Sequence, residues 1–191
     1  MGQEFELKYA AGPEVLETLK VRYPDHHPIT METTYYDDPL GRFSKLHWTL
    51  RRRMENGVSV CALKTPGKDL VRGEWEIECD DIQDAIPRLC EQGAPLELLL
   101  LTAQGIAPVC GARFTRLACP IELEDARLEL ALDAGVFIGG GQEVPFQEVE
   151  VELKEGPQSA ARTFGEALQS EFGLSEEHRS KVARARALAI R

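Results

Sequence analysis

The chain has 191 residues, of which 22 are Lys or Arg and 32 are Asp or Glu, leaving a formal net charge of −10. A chain this acidic lacks the basic surface that displaces counterions from nucleic acid, which argues against a general nucleic-acid binder. Hydrophobic residues at 43% and charged ones at 28% describe a globular protein rather than a disordered one, and the length suits one large domain, 1–191. Apolar runs such as Leu98 to Leu101 fall far short of the roughly 20 residues that span a bilayer, so no membrane partner is expected. Charge at Glu4 and Glu6, where a signal peptide would be apolar, and five cysteines without a C-x-x-C pair predict a reduced, cytoplasmic protein.

Most of the chain reads as strand. Gln3 to Tyr9 alternates strictly, with Glu4, Glu6 and Lys8 on one face and Phe5, Leu7 and Tyr9 on the other. Gly12-Pro13 ends it, and Glu14 to Arg22 carries Val15, Leu16 and Leu19 at helical spacing. Met31 to Tyr36 has the Thr and Tyr content of a strand and stops at Asp37-Asp38-Pro39. Trp48 to Met54 and Val58 to Thr65 flank Glu55-Asn56-Gly57, and Asn-Gly between two strand patterns predicts a hairpin. Val71 to Cys79 alternates again. Asp80-Asp81 then opens a helix through Ile82, Ile86 and Leu89 that Pro87 keeps short or kinks. Ala112 to Cys119, Arg127 to Asp133 and Pro145 to Lys154 read as strands, with a Gly139-Gly140-Gly141 turn before the last. Gln158 to Phe172 and Glu176 to Ile190 read as helices, the first with Ala161, Phe164, Leu168 and Phe172 on one stripe. The fold class is therefore mainly β (α+β), an antiparallel structure of about eight strands with helices packed on it.

The polar faces of these strands are the informative feature. A half-exposed strand shows a mixture of Thr, Ser, Gln, Lys and Glu on its wet side. Here that side is nearly all charged and sorted by sign. Arg51 and Arg53 share a face, and Lys64 ends their hairpin partner. Arg72, Glu74, Glu76 and Glu78 follow on the next strand, then Arg116, then Glu129 and Asp133, and finally Glu148, Glu150 and Glu152. The opposite faces stay apolar, as in Leu128, Leu130 and Leu132 or Val149, Val151 and Leu153. One reading is an open sheet with the charged face in water and charges pairing across strands. Against it, aligned like charges repel one another and cost stability unless opposite charge lies between strands. A closed barrel with this face inward and helices over its apolar outside meets that need. Carboxylate rows in its lumen suit a hard divalent cation, and guanidinium and ammonium rows suit a polyanion, which together describe metal-dependent phosphoryl transfer.

The same residues carry a family resemblance. Glu4-Phe-Glu6-Leu-Lys8 resembles the ExExK signature of the CYTH superfamily, also called triphosphate tunnel metalloenzymes. Arg51-x-Arg53, Leu63-Lys64, Arg72-x-Glu74-x-Glu76, Arg116, Asp133, Glu150-x-Glu152 and Ser180-Lys181 follow in that family's order across the whole chain. The resemblance implies an eight-stranded, closed antiparallel barrel whose tunnel binds triphosphate with Mg²⁺ or Mn²⁺. Members are inorganic, thiamine and RNA triphosphatases and class IV adenylate cyclases. The opening of the chain and its Leu128 to Gly135 run are most similar to bacterial inorganic triphosphatases. That implies hydrolysis of inorganic triphosphate to phosphate and pyrophosphate. Class IV adenylate cyclase and thiamine triphosphatase are the alternatives within the superfamily, and a non-catalytic polyphosphate or nucleotide binder is the alternative from another class.

Carried over position by position, the resemblance makes Lys8, Arg51, Arg53, Lys64, Arg116 and Lys181 phosphate ligands, with Arg72, Glu74 and Glu76 beside them in the lumen. It makes Glu4, Glu6, Glu150 and Glu152 the metal carboxylates, with Asp133 as a further acidic contact. Those four glutamates and Lys8 form the implied catalytic set. The implied partner is a small-molecule triphosphate, with neither nucleic acid nor membrane, and a homodimer is left open. Two departures stand out. Phe114 occupies a place where several members carry a second basic residue, and the C-terminal helical CHAD domain of many bacterial members does not follow here. Other residues read more plainly. His26-His27 lack a third metal ligand and read as a solvated loop, His178 as surface, and the cysteines as buried thiols. The triple glycine lacks a P-loop frame. Arg179, Arg184 and Arg186 read as a solvated helix face, and only the resemblance turns Lys181 inward.

Overall fold

Two-residue periodicity at the start of the chain becomes β1 (Gly2–Ala10), with Phe5 and Tyr9 buried on one side and Glu6 and Lys8 turned to the other. The computed structural model describes the backbone of residues 2–67 and 71–190 and the side chains of residues 5–67 and 73–189. After α1 (Pro13–Arg22), β2 (His27–Asp37) runs into the short α2 (Arg42–Lys45). Asp37 and Asp38 fix that link, accepting from the Phe43 amide at 3.0 Å and from the Leu40 amide at 3.1 Å. β3 (Thr49–Glu55) and β4 (Val58–Thr65) form the expected hairpin. Asn56 (φ 48°) and Gly57 (φ 88°) adopt the left-handed conformations its two-residue turn requires. β5 (Val71–Glu78) leads to α3 (Ile82–Glu91), where the Asp81 carboxylate caps the Gln83 amide at 2.6 Å and Pro87 sits inside a helix of ten residues.

The leucine run forms α4 (Glu97–Thr102), an element the alternation patterns did not show. β6 (Ala107–Glu122), β7 (Arg127–Gly139) and β8 (Gln142–Glu155) extend well beyond their strictly alternating cores, and α5 (Gln158–Phe172) has the expected bounds. The helix expected over 176–190 is instead β9 (Ser175–Glu176), α6 (Lys181–Ala187) and a 3₁₀ turn (Leu188–Ile190). The Glu177 amide donates to the Lys8 carbonyl at 2.9 Å, which holds this segment against β1. Helix begins only where Ser180 caps it, accepting from the Ala183 amide at 3.2 Å.

The strand order is β5-β4-β3-β2-β6-β7-β8-β1-β9, with β1 additionally paired to β5 from Gly2↔Glu74 to Phe5↔Val71. The expectation of an eight-stranded closed barrel is corrected accordingly. Among the described residues the sheet has nine strands, and it curls without closing along its length, its two sides meeting over that short stretch. The cause lies in β1, whose second edge is divided: β5 engages it up to Phe5, and β9 engages it at Tyr9 and Ala10.

The apolar faces are covered as the alternation predicts. Leu16 and Leu19 of α1 and Ala161 and Leu168 of α5 pack on Phe5, Tyr9, Leu130, Val149 and Val151. Phe43, Ile86, Leu89 and Leu98 pack on Leu50, Leu63, Trp75 and Ile77 at the other flank. Full burial of each large side chain stabilises by about 1.5–3 kcal/mol. The expectation that helices lie only outside is corrected by α6. Its Ala185 and Val182 pack on Met31, Phe114, Phe137 and Phe146, on the concave side of the sheet. The β7–β8 turn permits this approach, since Gly140 and Gly141 hold φ of 57° and 74°, and a side chain on Gly139 would strike the Ala185 carbonyl oxygen. No helix among the described residues is long and apolar enough to cross a membrane.

Candidate active site

Charged alternate positions of β1 and of β3 to β8 meet on the concave side of the sheet, around a cavity of about 280 Å³ to which β2 adds Ile29, Met31 and Tyr35. The β3–β4 hairpin builds its cationic wall. Arg51 and Arg53 stand opposite Ala62 and Val60, short neighbours that leave space above them for guanidinium groups. Their protein contacts are long. Arg51 Nη2 reaches Glu74 Oε1 at 3.4 Å, and the buried Arg51 Nε finds no acceptor among the described residues. Arg53 donates from Nε to Thr33 Oγ1 and from Nη1 to Glu55 Oε1, both at 3.2 Å. Lys64 Nζ lies 3.1 Å from Glu74 Oε1. Burial lowers the Arg53 pKa and the neighbouring Arg51 lowers it further, although a guanidinium remains charged throughout. Two like charges are thus held side by side where an anion would relieve them.

The opposite wall is acidic. Glu6 of β1 faces Glu152 of β8, which faces Glu129 of β7, and all three line the cavity. Lys154 Nζ lies 2.8 Å from Glu152 and 3.8 Å from Glu129, and Lys8 Nζ lies 3.5 Å from Glu6. Further along the same faces, Glu148 opposes Asp133, which opposes Arg116. Here the charges are locked together. Arg116 grips both Asp133 oxygens at 2.8 Å and also contacts Glu150. Lys181 Nζ is 2.8 Å from Asp133 and 2.7 Å from Glu150, and it contacts Glu148 as well. Arg184 completes the cluster on Glu148. Burial alone would raise the Glu150 pKa, but Lys181, Arg116 and Lys8 outweigh it and hold the carboxyl well below the usual range. For Glu148 burial prevails and the shift is upward, against the pull of Lys181.

Of the residues expected in the lumen, Glu6, Lys8, Arg51, Arg53, Lys64, Glu74, Glu76, Arg116, Glu150, Glu152 and Lys181 line this one cavity. Asp133 is fully buried behind Arg116 and Lys181. The side chains of Glu4 and Arg72 lie outside the described residues, although their backbones face each other across β1 and β5. The solvated reading of Arg184 and Arg186 is corrected. Arg184 pairs with Glu148, and Arg186 Nη2 lies 3.0 Å from Asp37. Glu148 and Arg184 were legible in principle, because Glu148 shares a face with Glu150 and Arg184 lies one helical turn after Lys181. Phe114, in place of a second basic residue, has Lys181 Nζ 5.2 Å from its ring centroid. His178 is exposed beside Glu176 at 3.3 Å. Among the free cysteines, burial pushes Cys61 up to about 12 and Cys110 and Cys119 up to about 11, which makes these three poor nucleophiles.

With that geometry in place, the family comparison is decisive: the CYTH domain is matched over residues 2–185. This chain belongs to the CYTH domain family. The inorganic triphosphatase of Haemophilus influenzae is 29% identical over 96% of this CYTH chain, which spans about half, 54%, of that relative's length. A Hippeastrum adenylyl cyclase candidate described as having a dominant triphosphatase activity superposes with a TM-score of 0.69 at 21% identity, covering 97% of this chain and 96% of that one. A protein of Pyrococcus horikoshii OT3 superposes at 0.66 with 23% identity, covering 98% and 99%. At such identities the likeness is one of fold. It is the CYTH tunnel fold, an antiparallel sheet curled around a charged cavity.

Proposed function

We propose that this CYTH domain, acting as one unit over 1–191, hydrolyses inorganic triphosphate to phosphate and pyrophosphate. The observation that carries the reading is a single cavity with an arginine–lysine wall facing a carboxylate wall. Arg51, Arg53 and Lys64 would grip the phosphate chain, and the unsatisfied Arg51 Nε is a donor waiting for an anionic acceptor. The acidic wall suits a hard dication, because Glu6, Glu152 and Glu129 offer adjacent carboxylates of the oxygen type that Mg²⁺ or Mn²⁺ prefers. Those residues, with Glu150 and Glu4, would hold the ion, which when bound supplies neutralisation of phosphate charge. The chain's own residues do the rest. The cationic wall fixes the triphosphate so that a water can attack the terminal phosphorus in line, and a lining carboxylate takes the water's proton as pyrophosphate leaves. The Haemophilus influenzae relative supports this substrate.

A second reading has an observation of its own. Ile29, Met31, Tyr35 and Val182 form an apolar corner of the same cavity, which would accept an organic group attached to the triphosphate. Thiamine triphosphatase or cyclase activity would use it. A side-by-side assay of inorganic triphosphate, thiamine triphosphate and ATP, with Mg²⁺ and with Mn²⁺, tests both readings. Fastest phosphate release from inorganic triphosphate is expected. Cyclic AMP as the main product from ATP, with inorganic triphosphate left intact, would overturn the proposal in favour of a cyclase. Binding without turnover of any substrate would make the protein a polyphosphate binder.

A further inference from the structure

Lys181 occupies two environments at once. Its ammonium lines the cavity, yet it also sits among Asp133, Glu148 and Glu150. Left to three carboxylates, one ammonium and the Arg116 guanidinium would be outnumbered, and Lys181 would be drawn back from any phosphate in the cavity. Arg184 redresses this. It stands one helical turn beyond Lys181 on α6, does not line the cavity, and pairs with Glu148. Its guanidinium is held in place by the Phe137 ring at 4.4 Å, the Phe146 ring at 5.5 Å and Glu177 at 3.6 Å. Asp133, Glu148 and Glu150 are then matched one for one by Arg116, Lys181 and Arg184, while Glu177 at the edge of the cluster is answered by Arg179 at 2.8 Å.

We infer that Arg184 is a positioning residue: by cancelling the charge of Glu148 it leaves the Lys181 ammonium available to the phosphates of the substrate. This rests on the triphosphate reading for the identity of the ligand. The alternative role for Arg184 is simple anchoring of α6, and the two roles predict different behaviour of a compensating double variant. Removing the Arg184 charge leaves one uncompensated carboxylate directly behind Lys181, which at an effective dielectric near 20 weakens a nearby polyanion by about tenfold or more. Removing the Glu148 charge as well restores the match without restoring the anchor.

The experiment is calorimetric titration of a non-hydrolysable imido analogue of triphosphate with Mg²⁺ into wild type, R184K, R184M and R184M/E148Q, together with steady-state phosphate release from inorganic triphosphate and melting temperatures without ligand. R184M should bind at least about tenfold more weakly, with KM raised more than kcat is lowered, while R184K and R184M/E148Q should stay within about threefold of wild type. A double variant as weak as R184M, or an R184K as weak as R184M, would overturn charge cancellation in favour of anchoring. An R184M that binds like wild type would remove Arg184 from the site altogether. Failure of the wild type to bind triphosphate would count against the functional reading instead. The melting series would then decide the charge balance alone, with R184M lowered and R184M/E148Q recovered if the balance is real and both equally lowered if it is not. R184K also serves if R184M does not fold.

Discussion

The two walls of the cavity hold similar charges in opposite ways. On the β6–β8 side Arg116 and Lys181 hold protein carboxylates at 2.7–2.8 Å while still lining the cavity, and the carboxylates raise the pKa of both cations against the effect of burial. On the β3–β4 side the contacts of Arg51 and Arg53 run from 3.2 to 3.4 Å, and the Arg53 pKa is lowered by burial and by Arg51. The first wall is a charge-matched network that stabilises the fold and presents Lys181 to the cavity. The second sets Arg51, Arg53 and Lys64 against the longer contacts of Glu74 and Glu55 alone, and an incoming anion would relieve the remaining like-charge repulsion. Burying charge with weak partners is costly, so the β3 wall reads as built for binding and the β8 wall as its scaffold.

The largest expected effect comes from breaking the scaffold. Glu150→Ala leaves Lys181 and Arg116 short of a buried counter-charge and should cost about 3–5 kcal/mol of stability together with most turnover, read by denaturant unfolding and by phosphate release. A fully stable, fully active variant would show that the network is decorative. Next, Arg51→Ala and Arg53→Ala should each lower kcat/KM by about 10²–10³-fold while leaving the melting temperature unchanged or slightly higher, because like-charge repulsion is relieved. Unlowered kcat/KM in both would remove the β3 wall from the site. A fall in melting temperature as large as that of Glu150→Ala would erase the distinction between the walls.

Both walls were legible because strand periodicity converts i, i+2 spacing into a shared face, and sign-sorted charge on such faces is hard to explain in water. Arg51, Arg53, Glu150 and Glu152 needed nothing more than that spacing. Lys181 did not follow from periodicity, since a seven-residue helix presents too short a pattern to say which side meets protein. The same brevity hid Arg184 and put α6 outside in the expectation. α4 was missed because consecutive leucines have no period to read, and β9 because two residues of pairing leave no pattern at all. Incomplete closure was invisible for a different reason: it depends on how β5 and β9 divide one edge of β1, which is a matter of tertiary register rather than of local sequence.

A smaller effect separates charge from shape on the β3 wall. Arg53→Lys keeps the positive charge but loses the planar fork that grips two oxygens, so kcat/KM should drop by about tenfold, less than for Arg53→Ala. Equal loss in both variants would assign the residue to geometry alone, and no loss in Arg53→Lys would assign it to charge alone.

The smallest effect lies in acid and tests the scaffold wall. In the folded protein Glu150 is held well below the ordinary glutamate value, because Lys181, Arg116 and Lys8 outweigh its burial. In the unfolded chain it takes up a proton near its ordinary value of about 4.3. Its contribution to stability is therefore complete above that pH and is lost as pH falls through the lower folded value, since the unfolded state binds the extra proton first. Glu74, lowered by Lys64 and Arg51 against its burial, acts in the same direction on the other wall. Glu148, raised mainly by burial, acts in the opposite direction and offsets part of the Glu150 effect, the two titrating as a linked pair. Between about pH 5 and about pH 3 the melting temperature of wild type should thus fall more steeply than that of Glu150→Gln, which has no proton to take up at this position. Each kcal/mol of difference corresponds to about 2–4 °C for a domain of this size. Parallel acid slopes for the two proteins would mean that Glu150 titrates normally when folded, and the scaffold wall would then be no more locked than the wall opposite.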